Sequence, residues 1–119
     1  MYRTMLLSKI HRATVTETHL DYVGSITIDG TLLDEAGIYE NEKVEVFDID
    51  NGNRFQTYTL RGEPGSGGIG VNGAAARMVD KGDKIIIVNY GHMLEDEMKT
   101  HRPKVIVVDG DNNIARHEL

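Results

Sequence analysis

The sequence predicts a mainly β domain closed into a small barrel. Three observations point there. Short runs of β-branched and aromatic residues far outnumber helix signals. An Asn51-Gly52 pair, the strongest short hairpin signal, separates two of those runs. The chain has only 119 residues, with no repeat, low-complexity tract or linker, so one domain over residues 1–119 is expected. Many short strands in so short a chain leave vulnerable sheet edges, and a closed barrel removes them.

The elements follow in order. Met5-Leu6-Leu7 leads into residues 9–16, where Ile10, Thr14 and Thr16 share parity and predict a half-buried strand. Residues 22–28 are β-rich but broken by Gly24, and Asp29-Gly30 marks a turn. Residues 31–36 predict one short helix stopped by Gly37. Val44, Val46 and Ile49 lie on a strand running into Asn51-Gly52, and residues 54–60 return from it. A glycine-rich loop follows over residues 62–70, then Asn72, placed to cap a short helix over residues 74–79. Gly82-Asp83 turns the chain into the apolar strand 85–88, and Pro103 precedes a last strand over 105–108. Residues 110–119 are polar and read as a loosely held tail.

Composition excludes several function classes. There are 13 basic and 19 acidic residues, a net charge of -6 that offers no basic footprint for nucleic acid. The absence of cysteine removes disulfides, thiolate nucleophiles and cysteine metal sites. No apolar run reaches the roughly 20 residues that span a bilayer. Ser8, Lys9, His11 and Arg12 cut short the only stretch resembling a signal peptide, so a cytoplasmic protein without membrane contact is expected.

Four groups of residues could carry chemistry. Gly24-Ser25 in an arbitrary chain is a bulge or turn. It is also the pair that internal serinolysis requires. The serine hydroxyl attacks the preceding carbonyl carbon, an ester replaces the amide, and elimination frees the upstream fragment. The dehydroalanine left behind hydrolyses to an N-terminal pyruvoyl group. Gly24 suits this by accepting strained backbone.

Lys9 and His11 alternate onto one strand face, either a plain solvated face or a carboxylate-binding cation beside a proton-transferring imidazole. Arg54 and Tyr58 share parity, while Thr57 points the other way unless a bulge re-aims it. An arginine fork matches a carboxylate and a tyrosine hydroxyl delivers a proton, although ordinary strand packing explains the same residues. Asn72-Gly73-Ala74-Ala75 puts free backbone N–H groups at a helix start. The Gly65–Gly70 loop has a phosphate-loop look without the Gly-Lys-Ser/Thr ending. His92, His101 and His117 lack metal-ligand spacing and read as surface residues; no metal site is predicted.

The order of these motifs carries more than any one alone. Lys9-Ile10-His11-Arg12, Tyr22-Val23-Gly24-Ser25, Ile38-Tyr39-Glu40-Asn41-Glu42, Asn51-Gly52-Asn53-Arg54-Phe55-Gln56-Thr57-Tyr58 and Val71-Asn72-Gly73-Ala74-Ala75-Ala76 together resemble the aspartate 1-decarboxylase family. The likeness runs from the N-terminus to about Pro103 and includes the Gly82-Asp83 turn. It implies a double-psi β-barrel and a homotetramer with sites between subunits. It implies cleavage into a β chain of residues 1–24 and an α chain of residues 25–119, the latter opening on a pyruvoyl cofactor made from Ser25.

The implied activity is decarboxylation of L-aspartate to β-alanine for pantothenate. Ser25 and Tyr58 would then be catalytic. Lys9, Arg54, Thr57, Gly73, Ala74 and Ala75 would meet the substrate, with His11, Tyr22 and Asn72 in support. Thr57 and Asn72 are the candidates for stabilising oxyanions. Cleavage unaided and cleavage helped by a maturation factor both fit the likeness. Pro64, where an arginine is expected beside the glycine loop, and Arg77, where a histidine is common, depart from the pattern. The competing classes are a small barrel that binds a phosphate-bearing ligand through the Gly65–Gly70 loop, and a DNA-binding barrel, which the net charge disfavours.

Overall fold

The computed structural model describes residues 1–118. Its elements are β1 (Arg3–Thr14), β2 (Glu17–His19), β3 (Ser25–Asp29), α1 (Gly30–Ala36), β4 (Lys43–Asp48), β5 (Arg54–Gly62), β6 (Ile69–Asn72), a 3-10 helix (Gly73–Met78), β7 (Lys84–Met93), α2 (Glu95–Met98), β8 (Lys104–Val108) and β9 (Ile114–Glu118). The nine strands join in the order β2-β6-β3-β5-β4-β7-β1-β8-β9.

Consecutive strands β1 and β2 sit far apart in that order, and this is what curls the sheet. Between them Val15 N–H bonds Asp83 O and Thr16 N–H bonds Ile69 O, both at 2.9 Å, so one stretch of chain ties the β7 side to the β6 side. Parallel pairs β1–β8, β2–β6 and β3–β5 interleave with antiparallel ones. The result is the expected mainly β architecture, a double-psi β-barrel. Its interior is filled by β-branched residues, among them Ile10, Ile26, Ile28, Val44, Val46, Ile69, Ile85, Ile87 and Ile106, all at or near zero exposure.

Helix α1 ends as expected, with Gly37 left-handed at φ 72°. Four local readings differ. In β1, Arg12 adopts φ 68° at a register break between His11 and Ala13. The extra residue reverses the alternation, so Ala13 and Val15 are buried while Thr14 and Thr16 are only half-buried.

Strand β4 stops at Asp48, leaving Ile49 in the turn with Asn51-Gly52. Only Gly52 there has positive φ, because the Asp48 carboxylate accepts from the N–H groups of Asp50 and Asn51 and builds a wider loop. His101, read as a surface residue, is half-buried with Nε2 2.7 Å from Leu6 O. The segment read as a loose tail instead forms β9, antiparallel to β8 from Val105↔Glu118 to Val108↔Ile114. Leu119 lies outside the described residues.

Asp29 locks the glycine-rich loop onto this frame. Its Oδ1 accepts from Thr31 N at 2.8 Å and Gly65 N at 2.9 Å, and its Oδ2 from Gly67 N at 2.8 Å. Burial pushes the carboxyl pKa up, but the N–H bonds from Gly67, Gly65 and Thr31 outweigh it and hold the group below its ordinary value. The stabilisation is therefore present at neutral pH and is lost as pH falls through the depressed value. Asp29→Ala strands three donors and should cost about 3 kcal/mol in urea denaturation at neutral pH.

Candidate active site

Strands β2 and β3 flank β6, so one residue of β6 faces both. Asn72 pairs with His19 on one side and with Ser25 on the other. The turn over residues 20–24 that joins β2 to β3 therefore arches over the Asn72–Gly73 backbone. Gly73 has φ 74°, and a Cβ there would lie 2.5 Å from Gly24 Cα and 2.7 Å from Gly24 N. Only glycine permits this approach.

Asn72 occupies the N-cap of the 3-10 helix, as its sequence position suggests, but its side chain makes no capping bond. Its Nδ2 instead donates to Ser25 Oγ at 2.9 Å and to Thr27 Oγ1 at 3.1 Å. Ser25 is fully buried, and its hydroxyl lies 3.5 Å from Val23 O, at the limit of a hydrogen bond. Thr27 and Glu17–His19 were missed by sequence reasoning. Thr27 has the parity of Ser25 on β3, a signal that was available. His19 bonds Glu17 through Nε2 at 2.8 Å and stacks on Tyr22 with ring centroids 4.4 Å apart. Nothing local in the sequence marks that stack.

Ser25, Tyr22, Thr27 and Asn72 line a cleft of about 670 Å³. Its charged walls are Glu17, Asp21 and Glu63, with His19 beside them, and no lysine or arginine lines it. The structure thus brings together Tyr22, Gly24, Ser25, Asn72 and Gly73, with Ala74 and Ala75 following on the 3-10 helix.

Within one chain it does not bring Lys9, His11, Arg54, Thr57 or Tyr58 to that cleft. Lys9 and His11 are half-buried on β1, opposite Val88 and Ile86 of β7. Burial first, then the charges of Lys9, Arg12 and Arg116, push the His11 pKa down against a smaller upward pull from Glu118, which favours the neutral imidazole.

On β5 the alternation runs without a bulge. Arg54 and Tyr58 are exposed, while Thr57 faces the other way and is half-buried. The Arg54 guanidinium stacks 4.4 Å above the Phe47 ring. Among the described residues neither Lys9 nor Arg54 forms an ion pair, so both keep their charge available for carboxylates. The parallel register Ile26↔Thr59 sets Tyr58 one step before Thr59, as Ser25 is one step before Ile26.

The Gly65–Gly70 loop lines one side of the cleft, but its backbone donors are already engaged. Gly65 and Gly67 N–H groups bond Asp29, Ser66 N bonds Glu63 O, Gly68 N bonds Ser66 Oγ and Ile69 N bonds Thr16 Oγ1. The loop's donors are satisfied from within, and the anion it holds is the chain's own carboxylate.

Fold and site together define a small double-psi β-barrel with a buried serine under a tight turn. Residues 1–115 match the aspartate decarboxylase family, and the chain belongs to that family. It is 60% identical over 114 residues to an aspartate 1-decarboxylase of Neisseria meningitidis serogroup C, covering 96% of this chain and 90% of the relative. It is 62% identical over 113 residues to an aspartate 1-decarboxylase of Clostridium botulinum strain 657, covering 95% and 89%. The corresponding Acetivibrio thermocellus protein is 60% identical over 114 residues, covering 96% and 90%.

Gly73→Ala must displace Gly24 or distort its own backbone. It should lower stability by about 2 kcal/mol or more, measured by urea denaturation. A variant as stable as the parent would show that the Gly73–Gly24 contact constrains nothing.

Proposed function

We propose that this protein is a self-processing, pyruvoyl-dependent aspartate 1-decarboxylase that makes β-alanine and CO2 from L-aspartate for pantothenate synthesis in the cytoplasm. One observation carries the reading. The Ser25 hydroxyl is buried and held by the Asn72 amide directly after Gly24, whose backbone is pressed against Gly73.

In self-cleavage the Ser25 hydroxyl attacks the Gly24 carbonyl carbon. Asn72, with Thr57 from a neighbouring copy, provides the donors for the oxyanion, and the amide becomes an ester. Elimination frees the Gly24 carboxylate and leaves dehydroalanine, which adds water and loses ammonia to become the pyruvoyl ketone. The products are chains of residues 1–24 and 25–119. The residues fit that group, since an amide donor 2.9 Å from Ser25 Oγ is already in place to hold an oxygen at position 25.

The ketone supplies an electron sink for the pair left when CO2 departs. The chain's own side chains do the rest. Lys9 and Arg54 hold the substrate carboxylates. They must bind the side-chain carboxylate firmly and leave the α-carboxylate free to depart. Tyr58 delivers the proton that replaces the lost carboxylate. Backbone groups of Gly73, Ala74 and Ala75 complete the pocket, and Tyr22 and a neighbouring copy's His11 line it.

A cleft walled by Glu17, Asp21 and Glu63 repels a dicarboxylate, so the cations reach it from another copy of the chain in a homotetramer. The exposure of Tyr22 and of Val23, the latter 83% accessible, supports a neighbour covering this turn.

Denaturing mass spectrometry of purified protein tests the cleavage. Two fragments are expected, the larger opening on a pyruvoyl group. Ser25→Ala protein should stay intact, bind no carbonyl reagent and release no CO2 from aspartate; turnover by that variant would sink the assignment. Lys9→Ala should act mainly through substrate binding, raising KM, and an unchanged KM would remove Lys9 from the pocket.

A further inference from the structure

A second cluster of charged groups lies where the β4–β5 turn meets the start of β7, and decarboxylation makes no use of it. We propose that Asp48, Asp50 and Asp83 bind a hard divalent cation such as calcium, which ties that turn to β7. One carboxylate oxygen from each of the three lies within 4.8 Å of the others. Asp48 is only 2% exposed. Its Oδ1 is satisfied by the N–H groups of Asp50 and Asn51, at 2.8 and 3.2 Å, but its Oδ2 is buried without a hydrogen-bond partner.

Asp50 and Asp83 each spend one oxygen on backbone, Asp50 Oδ2 on Lys84 N at 2.8 Å and Asp83 Oδ2 on Asp80 N at 3.0 Å. Each keeps the other oxygen for a ligand. Among the described residues no lysine, arginine or histidine pairs with any of the three. The nearby Lys84 ammonium bonds Thr14 Oγ1 instead.

Three converging carboxylates with a buried, unmet oxygen and no basic partner are costly unless a counterion joins them. A proton is the competing occupant. Burial and the adjacent Asp83 push the Asp48 pKa up to about 6, against the pull of the Asp50 and Asn51 N–H groups.

An all-carboxylate set suits a hard, oxygen-seeking divalent cation such as calcium. Asp50 is exposed and Asp83 half-exposed, so water completes the shell. The ion would fix the turn leading into Arg54. The same turn also grips the 3-10 helix, with Asn51 Nδ2 and Asn53 Nδ2 both donating to Met78 O, at 3.0 and 2.9 Å.

The test is thermal unfolding of full-chain protein stripped with chelator, then titrated with calcium chloride at pH above neutral. A saturable rise of about 3–6 °C is expected. Asp50→Asn keeps the acceptor for Lys84 N and should leave the stripped protein's Tm near the parent's while weakening calcium binding about tenfold or more. No response to millimolar calcium, or an equal response in Asp50→Asn, would mean that a shared proton alone occupies the cluster and would overturn the proposal.

Discussion

Where Gly73 meets Gly24, backbone lies against backbone with no room for a single carbon atom between them. That contact depends on β6 being shared by β2 and β3, which brings the turn before Ser25 down onto the turn after Asn72. It has two consequences. The chain before Ser25 is held in place by packing rather than by side-chain bonds, and Asn72 is freed from capping to hold the Ser25 hydroxyl. The proposed self-cleavage needs this kind of positional control, because reaction between groups already in place depends on a geometry correct to fractions of an ångström. The barrel therefore matters less as an enclosure than as the means of crossing these two turns.

Charge is divided across the molecule. The walls around Ser25 are acidic, whereas Lys9 and Arg54 stand elsewhere on β1 and β5 without acidic partners. Within one chain the two sets of charge stand apart. The core between them stays filled largely by isoleucine and valine.

Much of the architecture was legible because its signals are local. Gly37 ends α1 with a left-handed residue, and the isoleucine run of β7 needs no partner to be read as a buried strand. The misreadings share a cause, which is dependence on residues distant in sequence. An arginine in left-handed conformation has no compositional marker, so the bulge at Arg12 and the parity change after it were hidden. Strand β9 is an edge strand with four exposed residues of five, and such a strand has the composition of a tail.

Asn72 looks like a helix cap from its neighbours alone; the partner that diverts it is 47 residues away. The site showed the same limit. Gly24-Ser25, Lys9 and Arg54 were singled out through the order of motifs along the chain, but their separation within one chain was not visible before the strands were placed.

Asp29 and Asp48 make the remaining point about how this fold treats buried charge. Both are almost inaccessible, and both begin a turn by accepting from the backbone N–H two residues on. Yet their pKa values move in opposite directions. At Asp29 the glycine loop wraps both oxygens with N–H donors and no anion stands near, so the ionised form is the satisfied one. At Asp48 only one oxygen is served, and a second carboxylate faces the group. Burial alone therefore does not decide what a buried aspartate is for; the count of donors around its two oxygens does. By that count Asp29 is a completed structural anchor, whereas Asp48 keeps one buried oxygen unserved.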